Sequence, residues 1–147
     1  NIYKLINLKE FELFILDPRL ENDTILIKES DNFQIRLMNV KDFFWVILIP
    51  NKPNLIELSD IKTQERNELL NFASDLGDYI KSTQNLDKIN IGMLGNVVSQ
   101  LHLHVVVRSR NDLAWPGPVW GRKITNKLDK KTLKYRSELI RIFLKTA

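Results

Sequence analysis

The stretch Gln100-Leu101-His102-Leu103-His104-Val105-Val106-Val107 decides how this chain is read, and it holds both histidines of the protein. Polar and apolar residues alternate through His104, and the run then ends in valines. That period is the period of a half-buried β-strand, with successive side chains on opposite faces. Leu101, Leu103, Val105 and Val107 would then enter a core. Gln100, His102 and His104 would share the other face, with neighbours roughly 6.5–7 Å apart. Two imidazoles at that separation can converge on one phosphate-sized group; the alternative is that they decorate a solvent face. Arg108 has the same parity, so it joins their face if the strand stays regular and is a strand-end surface charge if it does not.

The segments on either side indicate how such a strand is housed. Phe33–Met38 alternates as a strand, and Phe43–Ile49 is a near-continuous apolar strand stopped by Pro50. The short connection between them, around Asn39-Val40-Lys41-Asp42, makes the two a hairpin. Ile25-Leu26-Ile27 reads as a further brief strand, and Lys88–Met93 as another, with Ile89, Ile91 and Met93 on one face. Ser59 is a candidate helix N-cap with Asp60 beside it. From there to Ser82, Leu69, Phe72, Ala73, Leu76 and Ile80 recur at three- and four-residue steps and predict an amphipathic helix. Lys9–Asn22 reads as a short helix broken at Asp17-Pro18, burying Leu13, Phe14 and Leu20. Asp129–Lys145 closes the chain as a helix with Leu133, Ile140 and Phe143 on its apolar face. Strands joined by short loops, with helices to pack on them, predict an α+β domain: an antiparallel sheet of about five strands.

Asn111–Gly121 contains Trp115-Pro116-Gly117-Pro118-Val119-Trp120-Gly121, whose prolines and glycines exclude a helix or a central strand. Its two tryptophans need a surface to cover: a partner subunit, a pocket or the domain's own core.

A chain of 147 residues is read as one domain, residues 1–147, large enough for a real core. It has no cysteine, which rules out disulfides and thiolate metal sites and fits a cytoplasmic setting. The apolar run Phe43–Pro50 is far short of a membrane span, and no signal peptide is visible. Residues 108–147 carry 11 Lys/Arg against 3 Asp/Glu, whereas residues 1–107 carry 11 against 15. A basic C-terminal third suits an anionic ligand or partner, or is simply a solvated helix face. No basic-plus-aromatic pattern singles out nucleic acid.

The central motif resembles that of the histidine triad (HIT) superfamily, His-φ-His-φ-His-φ-φ, with Gln100 in place of the first histidine. Three further stretches are similar in order. Trp45-Val46-Ile47-Leu48-Ile49-Pro50 resembles the family's strand ending in proline. Asn39 falls where HIT proteins carry a ribose-binding Asn or Asp. Asn90-Ile91-Gly92 and Gly95-Asn96 resemble the segment leading into the triad. The loop Trp115–Gly121 looks like that of a bacterial HIT-like subgroup that also carries Gln-Leu-His-x-His. The resemblance covers about residues 33–121.

It implies a nucleotide hydrolase or nucleotidyl transferase acting at the α-phosphate of a nucleoside monophosphate derivative, usually a homodimer, with no metal and no cofactor. It assigns His102 as nucleophile, His104 as the third triad member, and Gln100 to support and orient the nucleophile. Asn39, Asn90, Gly95 and Asn96 become candidate substrate contacts. A neutral imidazole suits attack on an anionic phosphorus, because it adds no charge repulsion. Backbone N–H groups around Gly95-Asn96 and the His104 ring would meet the developing charge. If Gln100 orients the nucleophile, its amide oxygen is expected to accept a hydrogen bond from the His102 ring.

The pattern is departed from at three points. Gln100 cannot exchange a proton. Val97 stands where many members have Ser or Thr. Trp45 stands where some branches have histidine. A nucleotide-binding protein with vestigial catalysis is therefore a second reading. A metal site on the His-x-His pair is a third, and it would need an Asp or Glu ligand that is not close in sequence.

Overall fold

The computed structural model describes residues 12–123 and 125–147. Three α-helices run Pro18–Asp23 (α1), Thr63–Thr83 (α2) and Lys130–Thr146 (α3). Five strands run Thr24–Glu29 (β1), Phe33–Met38 (β2), Phe44–Pro50 (β3), Lys88–Gly92 (β4) and Leu103–Arg108 (β5). They form one sheet in the order β1-β2-β3-β5-β4 with antiparallel neighbours throughout. The α+β expectation and the strand count are met, including the brief strand at Ile25–Ile27. No helix among the described residues is long and apolar enough to cross a membrane.

One face of the sheet packs on α2 and α3. Ile35, Leu37, Val46, Leu48, Leu103, Val105 and Val107 meet Leu69, Ala73, Leu76, Ile80, Ile140 and Phe143 there. Leu101 joins this cluster, so the inward set expected of the central motif is the inward set observed. Gly77 lets α2 lie close to the sheet: a Cβ at that position would stand 2.9 Å from Ile89 Cγ2.

The second face, which carries the histidines, is not open to solvent. Trp45, Ile47, Ile49 and Val106 are buried under Leu20, Val98, Ala114 and Val119, with Phe14, Leu16 and Trp120 packed at the margin. The cover is made of loops and one short helix rather than of a repeating element. Periodicity therefore carries no sign of it.

Several boundaries move for local reasons. Pro18 starts α1 instead of breaking it, because proline suits the first helical turn and Asp17 caps it by accepting from Arg19 N–H at 2.8 Å. Leu13 is 81% exposed, not core; residues 9–11 of that expected helix lie outside the described residues. Ser59 does not cap α2. Asp60 draws in the Ile56 and Glu57 N–H groups at 3.0 and 2.8 Å and closes a separate 3₁₀ turn at Leu58–Asp60. The long helix then starts at Thr63. Strand β4 ends at Gly92, and as an edge strand it leaves Ile91 and Met93 partly in solvent.

Candidate functional site

The ladder of β5 begins at Leu103, which pairs with Leu48. His104 follows in register between Ile47 on β3 and Gly92 on β4. His102 stands just ahead of the ladder, and Gln100 lies in a bend. The two imidazoles still meet, with ring centroids 4.8 Å apart, and both are buried at 7% and 6% exposure. They are not surface decoration.

Each ring has one nitrogen committed. His102 Nδ1 lies 2.7 Å from the backbone carbonyl oxygen of Gln100. A carbonyl can only accept, so Nδ1 carries a proton, and in the neutral ring Nε2 is the nitrogen with the lone pair. His104 is the mirror case. Trp45 Nε1–H donates to His104 Nδ1 at 3.0 Å. An indole N–H can only donate, so His104 Nδ1 accepts and the proton of the neutral ring is on Nε2. Burial, and secondarily the neighbouring His102, lowers the His104 pKa to about 3, so the ring is neutral across the physiological range. The pair thus offers one free ring lone pair beside one neutral N–H donor.

The orienting role expected of the Gln100 amide is not observed. Its Oε1 accepts from Asp17 N–H and its Nε2 donates to the Ile15 carbonyl, both at 2.8 Å. The tautomer of His102 is set by the Gln100 main chain instead. The reason is geometric: residue 100 precedes the strand, so its side chain leaves the face that strict alternation would give it.

The His102 cleft, about 260 Å³, is walled by Ile56–Leu58 on one side and Met93–Asn96 with Ser99–Leu101 on the other. Gly95 and Asn96 are therefore brought to His102, with Gly95 at φ +67°, a conformation that favours glycine. Val97 is exposed, and its carbonyl accepts from Arg19 Nη1 at 2.7 Å.

Asn39 and Asn90 are not in that cleft. Asn39 lines a separate cavity with Asn22, Asp23, Thr125 and Lys127, and its Oδ1 accepts from Leu128 N–H at 3.1 Å. Asn90 Oδ1 accepts from Arg108 Nη1 at 3.0 Å.

A model of the HIT domain matches residues 19–111. The chain belongs to the HIT family. Among solved structures it is similar to a histidine triad protein of Marinobacter aquaeolei VT8 at 34% identity, over 91% of this chain and 98% of that one, with a TM-score of 0.86. A histidine triad (HIT) protein of Sinorhizobium meliloti 1021 is 35% identical over 88% and 96% of the two chains, TM-score 0.83. A histidine triad protein of Bradyrhizobium japonicum is 30% identical over 88% and 97%, TM-score 0.84. No curated protein matches the chain.

Within this HIT domain, Arg108 is an anchor and not a surface charge. It is 2% exposed, with Nε and Nη2 on the Asp112 carboxylate at 2.6 and 2.8 Å, and Nη2 also on the Gly117 carbonyl at 3.0 Å. Its guanidinium also lies near the rings of Phe43 and Trp115. This grip holds the loop Asn111–Gly121 inward. Trp120 then packs edge-on against His104 and Trp45, at 5.5 and 6.2 Å between centroids. Gly92 makes room, since a Cβ there would stand 3.4 Å from the Trp120 ring. Trp120 thus covers this chain's own site, and Trp115 lies against the Arg108 guanidinium.

Sequence reasoning missed Trp45 as the partner of His104, and Asp17 and Ile15 as the partners of Gln100. No local signal pointed to the first, because 59 residues separate Trp45 from His104. No local signal pointed to the second, because 83 residues separate Asp17 from Gln100. Among the described residues, no group of three or more His, Asp or Glu side chains is placed to hold a metal ion.

Proposed function

We propose that this HIT domain binds a nucleoside monophosphate derivative with its α-phosphate at the His102 cleft, and transfers or hydrolyses the nucleotidyl group through His102. The observation that carries the reading is the pair of opposed tautomers, one held by the Gln100 carbonyl and the other by Trp45. His102 Nε2 attacks phosphorus, the N–P bond forms, and the bond to the leaving group breaks with its electron pair. Water then attacks the nucleotidyl-imidazole, the N–P bond breaks, and the mononucleotide leaves. The His104 Nε2–H and the backbone N–H groups near Gly95-Asn96 stabilise the phosphoryl oxygens.

A neutral imidazole with a pKa of about 3 donates a hydrogen bond but supplies no proton near neutral pH. Gln100, tied to Ile15 and Asp17, supplies none either. The reading therefore favours substrates whose leaving group departs without protein-borne acid. Asn39 and Asn90 lie outside the His102 cleft with their carbonyl oxygens already held by protein groups, so a ribose would meet only their amide N–H donors. His102→Ala should abolish hydrolysis of adenosine 5′-(4-nitrophenyl phosphate), whose phenolate departs unprotonated, while AMP binding by calorimetry survives. Full activity in a folded variant would refute the mechanism.

The same lack of an acid favours the second reading, a nucleotide binder with vestigial turnover. Binding of AMP together with no release of 4-nitrophenolate from that ester would select it. We also propose a homodimer. Its support is the edge strand β4, which leaves Ile91 exposed beside Met93 and Leu94, and no longer the tryptophan loop. Light scattering at tens of micromolar should report twice the chain mass; a monomer would reject the pairing.

A further inference from the structure

Three hydrogen bonds bind the segment Ile15–Arg19 to the loop Val97–Gln100. The Gln100 amide accepts from Asp17 N–H and donates to the Ile15 carbonyl, both at 2.8 Å, much as one strand residue pairs with another. Arg19 Nη1 donates to the Val97 carbonyl at 2.7 Å. Phe14 and Leu16 pack beside this clip, and Leu20, just beyond it, is 5% exposed. The clipped residue is the one whose main-chain carbonyl takes the His102 Nδ1–H at 2.7 Å. The segment itself is absent from the walls of the His102 cleft, which come from residues 56–58 and 93–102.

We propose that Ile15–Arg19 is a positioning element for the nucleophile, acting through Gln100: by clipping the Gln100 side chain, the segment holds the Gln100 carbonyl where it fixes the His102 tautomer. The inference rests on His102 being the nucleophile. It gives the glutamine at the first triad position a function that does not involve moving a proton, and it makes an N-terminal segment part of the catalytic apparatus without touching substrate. Gln100→Ala keeps the carbonyl and removes the clip, so it separates the two.

Two measurements on the free protein test the device without reference to activity. Hydrogen exchange at the Asp17 amide reads the bond to Gln100 Oε1 directly. The ¹⁵N shifts of the His102 ring read its tautomer. In the wild type the Asp17 amide should be protected and His102 should be the Nδ1–H form. In Gln100→Ala the Asp17 amide should exchange freely, and His102 should average between its two tautomers. The kcat on adenosine 5′-(4-nitrophenyl phosphate) should fall roughly tenfold through misalignment; because Gln100 also lines the cleft, the His102 tautomer and not AMP affinity separates positioning from a wall contact. Gln100→Glu, which keeps the acceptor for Asp17 but has no donor for Ile15, should fall between.

Wild-type exchange at Asp17 in Gln100→Ala would overturn the proposal, as would a released segment with an unchanged His102 tautomer. If Gln100→Ala does not fold, Arg19→Ala cuts the bond to Val97 and should speed Asp17 exchange with a smaller loss in kcat; no change in either would overturn it too. Absence of any nucleotide binding in the wild type would instead defeat the functional reading and leave the first two measurements standing.

Discussion

Trp45→Phe removes a single N–H donor from the centre of the site. Trp45 and His104 are 3% and 6% exposed, so water does not reach the bond between them. The substitution leaves His104 Nδ1 as a buried acceptor without a partner, which costs about 1–3 kcal/mol. The smaller ring also withdraws from Trp120 and Phe43, whose centroids stand 6.2 and 6.5 Å from it, and this adds roughly 1 kcal/mol of lost packing. A total near 2–4 kcal/mol is expected, read as a shift in urea midpoint at constant slope. The specific part emerges from a double-mutant cycle with His104→Phe, which removes the acceptor. If the bond is real, the double mutant loses less than the sum, by about 1–3 kcal/mol. The ¹⁵N shifts of His104 provide a second reading: Nε2–H in the wild type, mixed tautomers in Trp45→Phe. An additive cycle together with an unchanged tautomer would refute the assignment of Trp45 as the group that sets His104.

Two further outcomes follow from groups already described. The unfolded chain protonates a histidine near pH 6.5, whereas folded His104 resists until about 3, so between those values the unfolded state binds more protons and stability falls as the pH falls. The His104 contribution approaches about 1.4 kcal/mol per pH unit below pH 6; urea midpoints at pH 7, 6 and 5 should show a shallower dependence in His104→Phe, and parallel curves would contradict it. Asp112→Ala strands the buried Arg108 guanidinium and should cost about 3–5 kcal/mol by thermal or urea unfolding; a loss under 1 kcal/mol would show that the ion pair is not what holds the tryptophan loop.

Chain-local features determined much of this protein. The alternation Leu101-Leu103-Val105-Val107 fixes which face of β5 meets the helices, because each apolar side chain has nowhere else to go. The three- and four-residue spacing of Leu69, Ala73, Leu76 and Ile80 does the same for α2. The order of motifs around the two histidines pointed to the HIT family, because those residues keep their spacing within single strands and tight loops.

Tertiary structure alone decided the rest. Whether Arg108 is a surface charge or an anchor depends on Asp112 and Asn90 reaching it from two other segments. Whether the tryptophans of the 111–121 loop face a partner or their own site depends on that anchor. The tautomers depend on contacts across 59 residues for Trp45 and His104, and on a bend for Gln100 and His102. A glutamine two residues before a histidine reads in sequence as its neighbour on one face. Once the strand begins at Leu103, that parity is lost: the side chain turns to the N-terminal segment, and its own carbonyl is left to hold the His102 ring. Hydrogen-bond partners are a property of where main chains end up, and no residue type or spacing encodes that by itself.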